Sequence, residues 1–296
     1  MAIETIDIIH QPGHQPKPAW LKVALPHGDE YERVRAKVAD LQLNTVCREA
    51  MCPNVAECWG AGTATIMILG DTCTRGCRFC AVKTGNPRGE VNWLEPVRVA
   101  KAVKDLQWQY LVLTAVDRDD LPDGGALIFA NTVRAIHGEV PGSKVECLTG
   151  DFRGDLAALD IVLDASPDVF AHNLETVRRL SPKVRDKRAA YDQSLRVLEH
   201  AKNRAMGRYT KTSLMLGLGE TEEEIETAMD DARCAGVDIF TMGQYLQPSK
   251  KHLPVSEFVS PATFERLRSL GLSKGFRQVV SSPLSRSSYH AEQAFG

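Results

Sequence analysis

The chain has 296 residues, of which 43% are hydrophobic and 25% charged, as is typical of a globular α/β protein with one large domain or two smaller ones. Lys and Arg number 36 against 38 Asp and Glu, so the formal net charge is −2. This balance excludes a broadly basic surface and predicts a protein that does not bind nucleic acid.

The N-terminal region shows no targeting signal. It lacks a basic start followed by a long apolar stretch, and no apolar run reaches the roughly 18 residues that would predict a membrane span. We therefore expect a cytoplasmic protein with reduced thiols and no membrane association.

Residues 1–60 are irregular, with one predicted helix within residues 29–47. Four apolar residues recur there at helical spacing: Tyr31, Val34, Val38 and Leu41. The stretch before this helix is predicted to be an extended arm. Its two histidines, His10 and His14, are expected to be solvated loop residues rather than metal ligands.

From residue 63 onward, short apolar runs alternate with helical patterns. Six runs are predicted strands: 63–69, 110–116, 144–149, 169–173, 212–218 and 238–243. Several are nearly continuous apolar runs, which favours parallel strands covered on both faces. The alternation predicts an open doubly wound sheet or a barrel. The Ser-rich stretch 277–296 is predicted to be a tail rather than a core element.

The clearest helix lies within residues 221–236. Thr221 and Glu224 form a capping box, and Gly236 is suited to end the helix. Its apolar stripe consists of Ile225, Ala228, Met229 and Ala232.

Three cysteines follow the first predicted strand with the spacing C-x3-C-x2-C: Cys73, Cys77 and Cys80. Active sites of β/α folds are built at the carboxyl ends of strands. Three thiolates can hold three irons of a [4Fe–4S] cubane and leave the fourth open to an external ligand. The alternative is a zinc site that borrows a fourth ligand, although zinc more often uses paired C-x2-C motifs.

This triad resembles the radical S-adenosylmethionine superfamily. The resemblance implies that the open iron chelates the amino and carboxylate groups of S-adenosylmethionine. It also implies that one electron from the cluster cleaves the sulfonium to yield a 5′-deoxyadenosyl radical, which abstracts hydrogen from an unactivated carbon.

A second triad, Cys47, Cys52 and Cys58, has the spacing C-x4-C-x5-C and predicts a second cubane. A zinc site or buried structural thiols are the alternatives. The two isolated cysteines, Cys147 and Cys234, are expected to be small buried hydrophobic residues.

The two triads, followed by "RSSYHA" at residues 286–291, resemble the lipoyl synthase family; "KPAWLK" (17–22) and "VDRDDLPDGG" (116–125) extend the similarity. The resemblance implies a partial (β/α)6 TIM-like barrel at 61–280. It also implies an N-terminal extension at 1–60, which carries the auxiliary triad, and a tail at 281–296 that covers the open end. The implied reaction inserts two sulfurs, at C6 and C8 of an octanoyl chain on a carrier lysine, with the auxiliary cluster as sulfur donor and two S-adenosylmethionine molecules consumed.

The same resemblance implies that Ser288 is the fourth ligand of the auxiliary cluster, with Ser287 as the neighbouring alternative. A hydroxyl oxygen suits iron less well than a thiolate, so this bond is expected to be the labile one. Arg286 is a candidate for holding the tail over the cluster.

The cofactor-binding candidates come from two segments. In "FAHNLETVRRL" (170–180), Asn173 and Glu175 are candidates for the ribose hydroxyls and Arg178 for the methionine carboxylate; positions on a helix surface are the alternative for all three. "SLMLGLGE" (213–220) resembles the adenine-binding stretch of the superfamily and implicates Met215 and Leu216. The usual G-G-E motif is absent, and backbone carbonyls near Asp117 and Arg118 are candidates for the methionine amino group. Lys211 is a further candidate.

The implied partners are octanoylated lipoyl-carrier domains, either the E2 subunit of a 2-oxoacid dehydrogenase or the H protein of glycine cleavage, and a ferredoxin- or flavodoxin-type electron donor. The basic segment 181–188 would suit an acidic carrier or donor, or is merely solvated. Two other functions fit parts of the pattern: a radical enzyme whose extra cluster only relays electrons, and a non-catalytic iron–sulfur or zinc carrier.

Overall fold

A computed structural model describes residues 17–23, 27–204, 207–288 and 291. Most of the predicted N-terminal arm, including His10 and His14, lies outside these residues. Among the described helices, none is both long and apolar enough to cross a membrane.

The structure alternates strands and helices along most of its length. The strands are β1 (Asn44–Thr45), β2 (Thr65–Ile68), β3 (Thr72–Cys73), β4 (Lys83–Thr84), β5 (Tyr110–Ala115), β6 (Lys144–Leu148), β7 (Val169–Ala171), β8 (Tyr209–Leu216), β9 (Ile239–Gln244) and β10 (Gln278–Ser281). The helices are α1 (Asp29–Asp40), α2 (Val46–Glu49), α3 (Val55–Gly60), α4 (Glu95–Leu106), α5 (Ala126–Glu139), α6 (Leu156–Asp164), α7 (Ser181–Val184), α8 (Tyr191–Arg204), α9 (Glu222–Cys234) and α10 (Pro261–Ser273).

The main sheet has the strand order β1-β2-β5-β6-β7-β8-β9-β10. Every pair in it is parallel except β1 with β2. From β2 to α10 the chain makes six strand-plus-helix units, and β10 adds a seventh parallel strand. Over the part of the chain that the structure describes, the order is linear from β1 to β10, so the barrel is partial. The predicted partial (β/α)6 barrel is confirmed.

Alternation along each strand explains the nearly continuous apolar runs. In β5, Leu111 and Leu113 are fully buried among core residues under the helices. Thr114, on the opposite face, instead contributes to the wall of a cavity at the carboxyl end of the sheet. Parallel strands covered on both faces need an apolar residue at nearly every position.

The N-terminal extension shares the core of the barrel. Val34 and Val38 of α1 are buried, as the helical spacing predicts, and the Tyr31 ring lies 5.3 Å from that of Trp59 in α3. The short β1 pairs with β2. The sequence predicts only one helix here and misses α2 and α3, which carry Cys47 and Cys58 and are too short for periodicity to show.

The prediction that residues 277–296 form a tail is wrong for the first part of this stretch, because Gln278–Ser281 forms β10 and pairs with β9. Val279 is buried in the core, and the hydroxyl of Ser281 donates to the carbonyl oxygen of Phe264 at 2.7 Å. The serine content that suggested a tail is accommodated because this hydroxyl bonds to the backbone of a neighbouring helix.

Helix α9 follows its prediction closely. The capping box of Thr221 and Glu224 is present, and all four residues of the apolar stripe are buried. Cys147 in β6 is buried as expected, but Cys234 is exposed, which corrects its prediction. Cys234 ends α9 on the side away from the stripe, so no neighbouring element covers it.

Candidate active site

A cavity of about 300 Å³, which we call the main cavity, lies at the carboxyl ends of the strands. Cys73, Cys77 and Cys80 line it, as do residues at or just beyond the ends of β2 and β5 to β9. The first triad therefore faces the space where β/α enzymes bind their substrates.

Backbone amides point at the sulfurs of this triad. The N–H of Arg75 donates to Cys73 Sγ at 3.4 Å, and that of Asp186 donates to Cys77 Sγ at 3.3 Å. Burial, together with the negative charge of Asp117, raises the pKa of Cys73 to about 11; burial and Glu175 raise that of Cys77 to about 12. Since a thiol ligand must be deprotonated, this environment favours thiolates only when a metal supplies positive charge.

The donor set fits an iron–sulfur cluster. Among the described residues, no group of three His, Cys, Asp or Glu side chains is arranged to bind a single metal ion. A cubane does not need such an arrangement, because each thiolate binds a separate iron. Amide donors to the sulfurs are among the features that tune such clusters.

Arg75 connects the cluster loop to the ends of two strands. Its guanidinium is almost fully buried and lies 2.9 Å from Asp119 and 2.7 Å from Asp151, with Asp117 at 3.7 Å. Burial alone would raise the pKa of Asp151, but the hydrogen bond and charge of Arg75 lower it below the ordinary value. The buried guanidinium is stable because the surrounding carboxylates compensate its positive charge.

The "VDRDD" segment therefore has a structural role that the sequence did not reveal. The carbonyl oxygen of Asp117, a candidate for the methionine amino group, accepts hydrogen bonds from the N–H and the hydroxyl of Thr74, both at 2.9 Å. Arg118 pairs with Asp120 and donates to the carbonyl oxygens of Leu69 and Glu90. These groups hold the loops in place.

The segment after β7 brings three predicted cofactor residues together. The N–H of Glu175 donates to Ser213 O at 3.0 Å, and the N–H of Met215 donates to Glu175 O at 2.9 Å. These bonds lay residues 173–175 along β8, so Asn173, Glu175 and Met215 all line the main cavity. Leu216 points the other way into the core, because side chains alternate along β8.

Arg178 does not line the cavity, which corrects its predicted position. Half of its side chain is exposed, and it pairs with Asp192 and Asp231 on α8 and α9 while lying over the ring of Tyr191. Lys211 is also outside the cavity wall; it is buried beneath it and pairs with Glu146 at 2.9 Å.

Arg185 is a buried cation in the wall of the main cavity whose role the sequence did not reveal. It is buried, lines the cavity, and donates to the hydroxyl of Ser194 at 2.9 Å. The same hydroxyl lies 2.8 Å from Nε2 of His172, whose pKa falls to about 4 because it is buried and near Arg185. His172 is therefore neutral near pH 7, so Arg185 is the positive group of this network. Its sequence signal is the basic segment 181–188, which predicts a docking or solvated surface rather than a cavity wall.

The second triad lines a smaller cavity of about 40 Å³. Cys47, Cys52 and Cys58 share this cavity with Ser288 and Arg286, whereas Ser287 faces the main cavity. Burial raises the pKa of both Cys47 and Cys52, as for the first triad.

The tail is attached to the triad segment. The side-chain amide of Asn54 donates to Leu284 O at 2.7 Å. Arg286 lines both cavities and donates to the carbonyl oxygen of Ser285. One residue of the tail thus forms part of the wall of each site.

Comparison with known proteins agrees with this architecture. Residues 67–232 match the Radical SAM superfamily, the class that the partial barrel and the first triad define. Residues 8–52 match the N-terminal domain of lipoyl synthase of the Radical SAM family. Among solved structures, methylornithine synthase superimposes with a TM-score of 0.54 at 16% identity, covering 89% of this chain and 81% of that one. At this identity the likeness supports the fold alone.

Curated relatives cover nearly the whole chain. The lipoyl synthase of Thermus thermophilus is 58% identical over 96% of this chain and 88% of its own length. That of Deinococcus radiodurans is 57% identical over 95% and 85%, and the chloroplastic enzyme of Sorghum bicolor 56% over 94% and 78%. The chain belongs to the lipoyl synthase family.

Proposed function

We propose that this protein is a radical S-adenosylmethionine sulfurtransferase that inserts sulfur at C6 and C8 of a protein-bound octanoyl-lysine. The observation that carries the proposal is the pair of cysteine triads, each lining its own cavity, with Arg286 in the wall between them. The cofactors are two [4Fe–4S] clusters and S-adenosylmethionine. When bound, they supply the substrate radical and the sulfide that it captures.

The chain's own residues divide this work. Cys73, Cys77 and Cys80 hold one cluster with an open iron. The second cluster is held by Cys47, Cys52, Cys58 and Ser288. The cysteines of both triads are buried or half-buried, which limits the access of water and protects a radical from side reactions.

S-adenosylmethionine is held by groups at the strand ends. Asn173 and Glu175 suit the ribose hydroxyls, and Met215 suits the adenine. Because Arg178 is turned outward, the buried Arg185 is the better partner for the methionine carboxylate, since a guanidinium binds a carboxylate by two parallel hydrogen bonds.

Replacing Arg185 with glutamine should weaken S-adenosylmethionine binding by roughly tenfold or more, as expected for loss of a charge-assisted hydrogen bond worth about 1.5–3 kcal/mol. Arg178→Gln is the matched control and should leave the affinity within about twofold. Equilibrium binding to the cluster-loaded protein measures both. An equal loss of affinity in the two variants would show that Arg185 does not bind the methionine carboxylate.

Ser288→Ala should reduce sulfur insertion strongly while leaving S-adenosylmethionine cleavage measurable, because it removes an oxygen ligand of the auxiliary cluster only. Ser287→Ala, one residue away but facing the other cavity, should retain the auxiliary cluster. The paramagnetic resonance signal of each reduced cluster checks the assignment. If the Ser287 variant loses the signal of the auxiliary cluster and the Ser288 variant keeps it, Ser287 is the ligand and Ser288 is not.

The substrates are lipoyl-carrier proteins. We propose octanoylated E2 lipoyl domains or glycine-cleavage H protein as the particular carriers, and a ferredoxin- or flavodoxin-type protein as the reductant. Thiolate-held clusters need a compartment in which cysteines stay reduced, so we propose a cytoplasmic location. We also propose three functional segments, 1–60, 61–280 and 281–296, of which the last begins at the final residue of β10.

The deciding experiment is a single anaerobic turnover on an octanoyl-lysyl peptide, with both clusters assembled from isotopically labelled sulfide. We expect two labelled sulfurs in the product and two molecules of 5′-deoxyadenosine per lipoyl group. Product sulfur that carries no label, or cleavage without any gain in peptide mass, would contradict the proposal and favour an auxiliary cluster that only relays electrons.

A further inference from the structure

A group of exposed cations surrounds the outer side of the first cluster loop. We call it the basic rim, and its members are Arg78, Lys183, Lys187, Lys250 and Lys251. They come from three separate segments: the loop between Cys77 and Cys80, the region of α7, and the loop after β9. Their meeting at one place is a product of the fold and is not visible in the sequence.

Hydrogen bonds fix the region of α7 and the loop after β9 to the loop between Cys77 and Cys80. The N–H of Arg78 donates to Val184 O at 2.9 Å, and its guanidinium donates to Lys183 O at 3.3 Å. On the other side, the N–H of Leu253 donates to Arg78 O at 3.1 Å, and Nε2 of His252 donates to Cys80 O at 3.0 Å. The rim therefore rests directly on the loop that carries the cluster ligands.

The charge of the rim is not neutralised locally. The nearest acidic residue in sequence, Asp186, is bound by Arg188 and by the N–H of Gly76. Within the described residues, none of the four rim lysines forms an ion pair with a carboxylate. Because the whole chain has a net charge of −2, these five positive charges are a local feature rather than part of a general basic character.

The rim lies outside the main cavity. Cys77 and Cys80, on either side of Arg78, line the cavity, whereas no member of the rim does. A protein bound to the rim would thus be separated from the cavity by the cluster loop itself. An electron can cross such a loop, but an octanoyl-lysine arm cannot pass through it, so the rim suits an electron donor better than a carrier domain.

We propose that the basic rim is the docking surface for an acidic one-electron donor protein of the flavodoxin or ferredoxin class. This inference rests on the proposed function, which requires that the first cluster be reduced. In the step concerned, one electron passes from the reduced flavin or iron–sulfur centre of the donor to that cluster. The donor is oxidised, the cluster is reduced, and no bond or proton is transferred.

The test uses the protein with both clusters loaded and a charge-reversed variant, Lys250→Glu with Lys251→Glu. The matched control is Lys101→Glu with Arg134→Glu, which changes the net charge equally at two exposed positions on α4 and α5. Two quantities are measured with an acidic flavodoxin: its dissociation constant by calorimetry, and its rate of cluster reduction by stopped-flow absorbance. Dithionite-driven formation of 5′-deoxyadenosine is measured separately.

We expect the rim variant to bind flavodoxin at least roughly tenfold more weakly at low ionic strength, with a similar drop in reduction rate that shrinks as salt is added. The control should match the parent, and dithionite-driven cleavage should be unchanged in every protein. Unchanged binding and reduction in the rim variant would overturn the proposal. So would a loss of dithionite-driven turnover on an intact octanoyl carrier protein, which would assign the rim to the carrier.

The two proposals fail separately. If the parent protein, reduced by dithionite, does not insert sulfur, the proposed function is wrong whatever the rim binds. If the parent inserts sulfur but the rim variant binds and accepts electrons like the parent, only the docking surface is wrong.

Discussion

Replacing Cys77 with alanine is expected to abolish reductive cleavage of S-adenosylmethionine. Cys77 lies at the centre of the first triad, and its sulfur accepts the N–H of Asp186. Loss of a residue that only supports a metal ligand typically costs up to about 100-fold, so loss of the ligand itself should exceed that figure. Anaerobic formation of 5′-deoxyadenosine with dithionite as reductant measures the effect.

The control for this variant is Cys234→Ser, which alters an exposed cysteine outside both triads. Iron content and cleavage should both match the parent. A Cys77→Ala protein that keeps a full iron complement and cleaves S-adenosylmethionine at even a tenth of the parent rate would show that the first triad does not hold the catalytic cluster.

Replacing Cys52 with alanine is expected to separate cleavage from sulfur transfer. Cys52 lines only the smaller cavity among the two cluster sites, so the first triad keeps all its ligands. Iron content should fall by about half, consistent with loss of one of two equal clusters. The variant should still form 5′-deoxyadenosine, while thiolation of an octanoyl-lysyl peptide should drop to background.

Mass spectrometry of the peptide provides the readout for this second variant. Retained thiolation would mean that the N-terminal triad does not hold the sulfur donor. Complete loss of cleavage would mean that the two cluster sites depend on one another for folding, a result that Cys58→Ala should then reproduce.

The sequence predicted the barrel well because periodicity is a local signal. All six predicted strands are present, since each combines apolar residues with flanking turns or helices. β10 was missed because its two valines are followed by serines, and their bonding to α10 depends on a contact distant in sequence. Local composition carries no information about such a partner.

The cluster ligands were predictable because their spacing is fixed by chemistry. The directions in which side chains point at the cofactor site could not be predicted from the sequence. Arg178 and Arg185 are both basic residues in the region after β7, yet one pairs with Asp192 and Asp231 on the outside while the other faces the cavity. Which one turns inward depends on how α7 and α8 pack. The functions of "VDRDD" were hidden for the same reason, because its partner Arg75 lies more than forty residues earlier.

The ion pairs of Arg75 have a consequence for the lifetime of the enzyme. They tie the loop of the first triad to the ends of β5 and β6 through residues that are not cluster ligands. A zinc finger unfolds when its metal leaves. The loop of the first triad should instead keep its conformation when oxygen destroys the cluster. Repair could then proceed on a folded protein, and amide hydrogen exchange in residues 73–80 should remain slow after iron is removed.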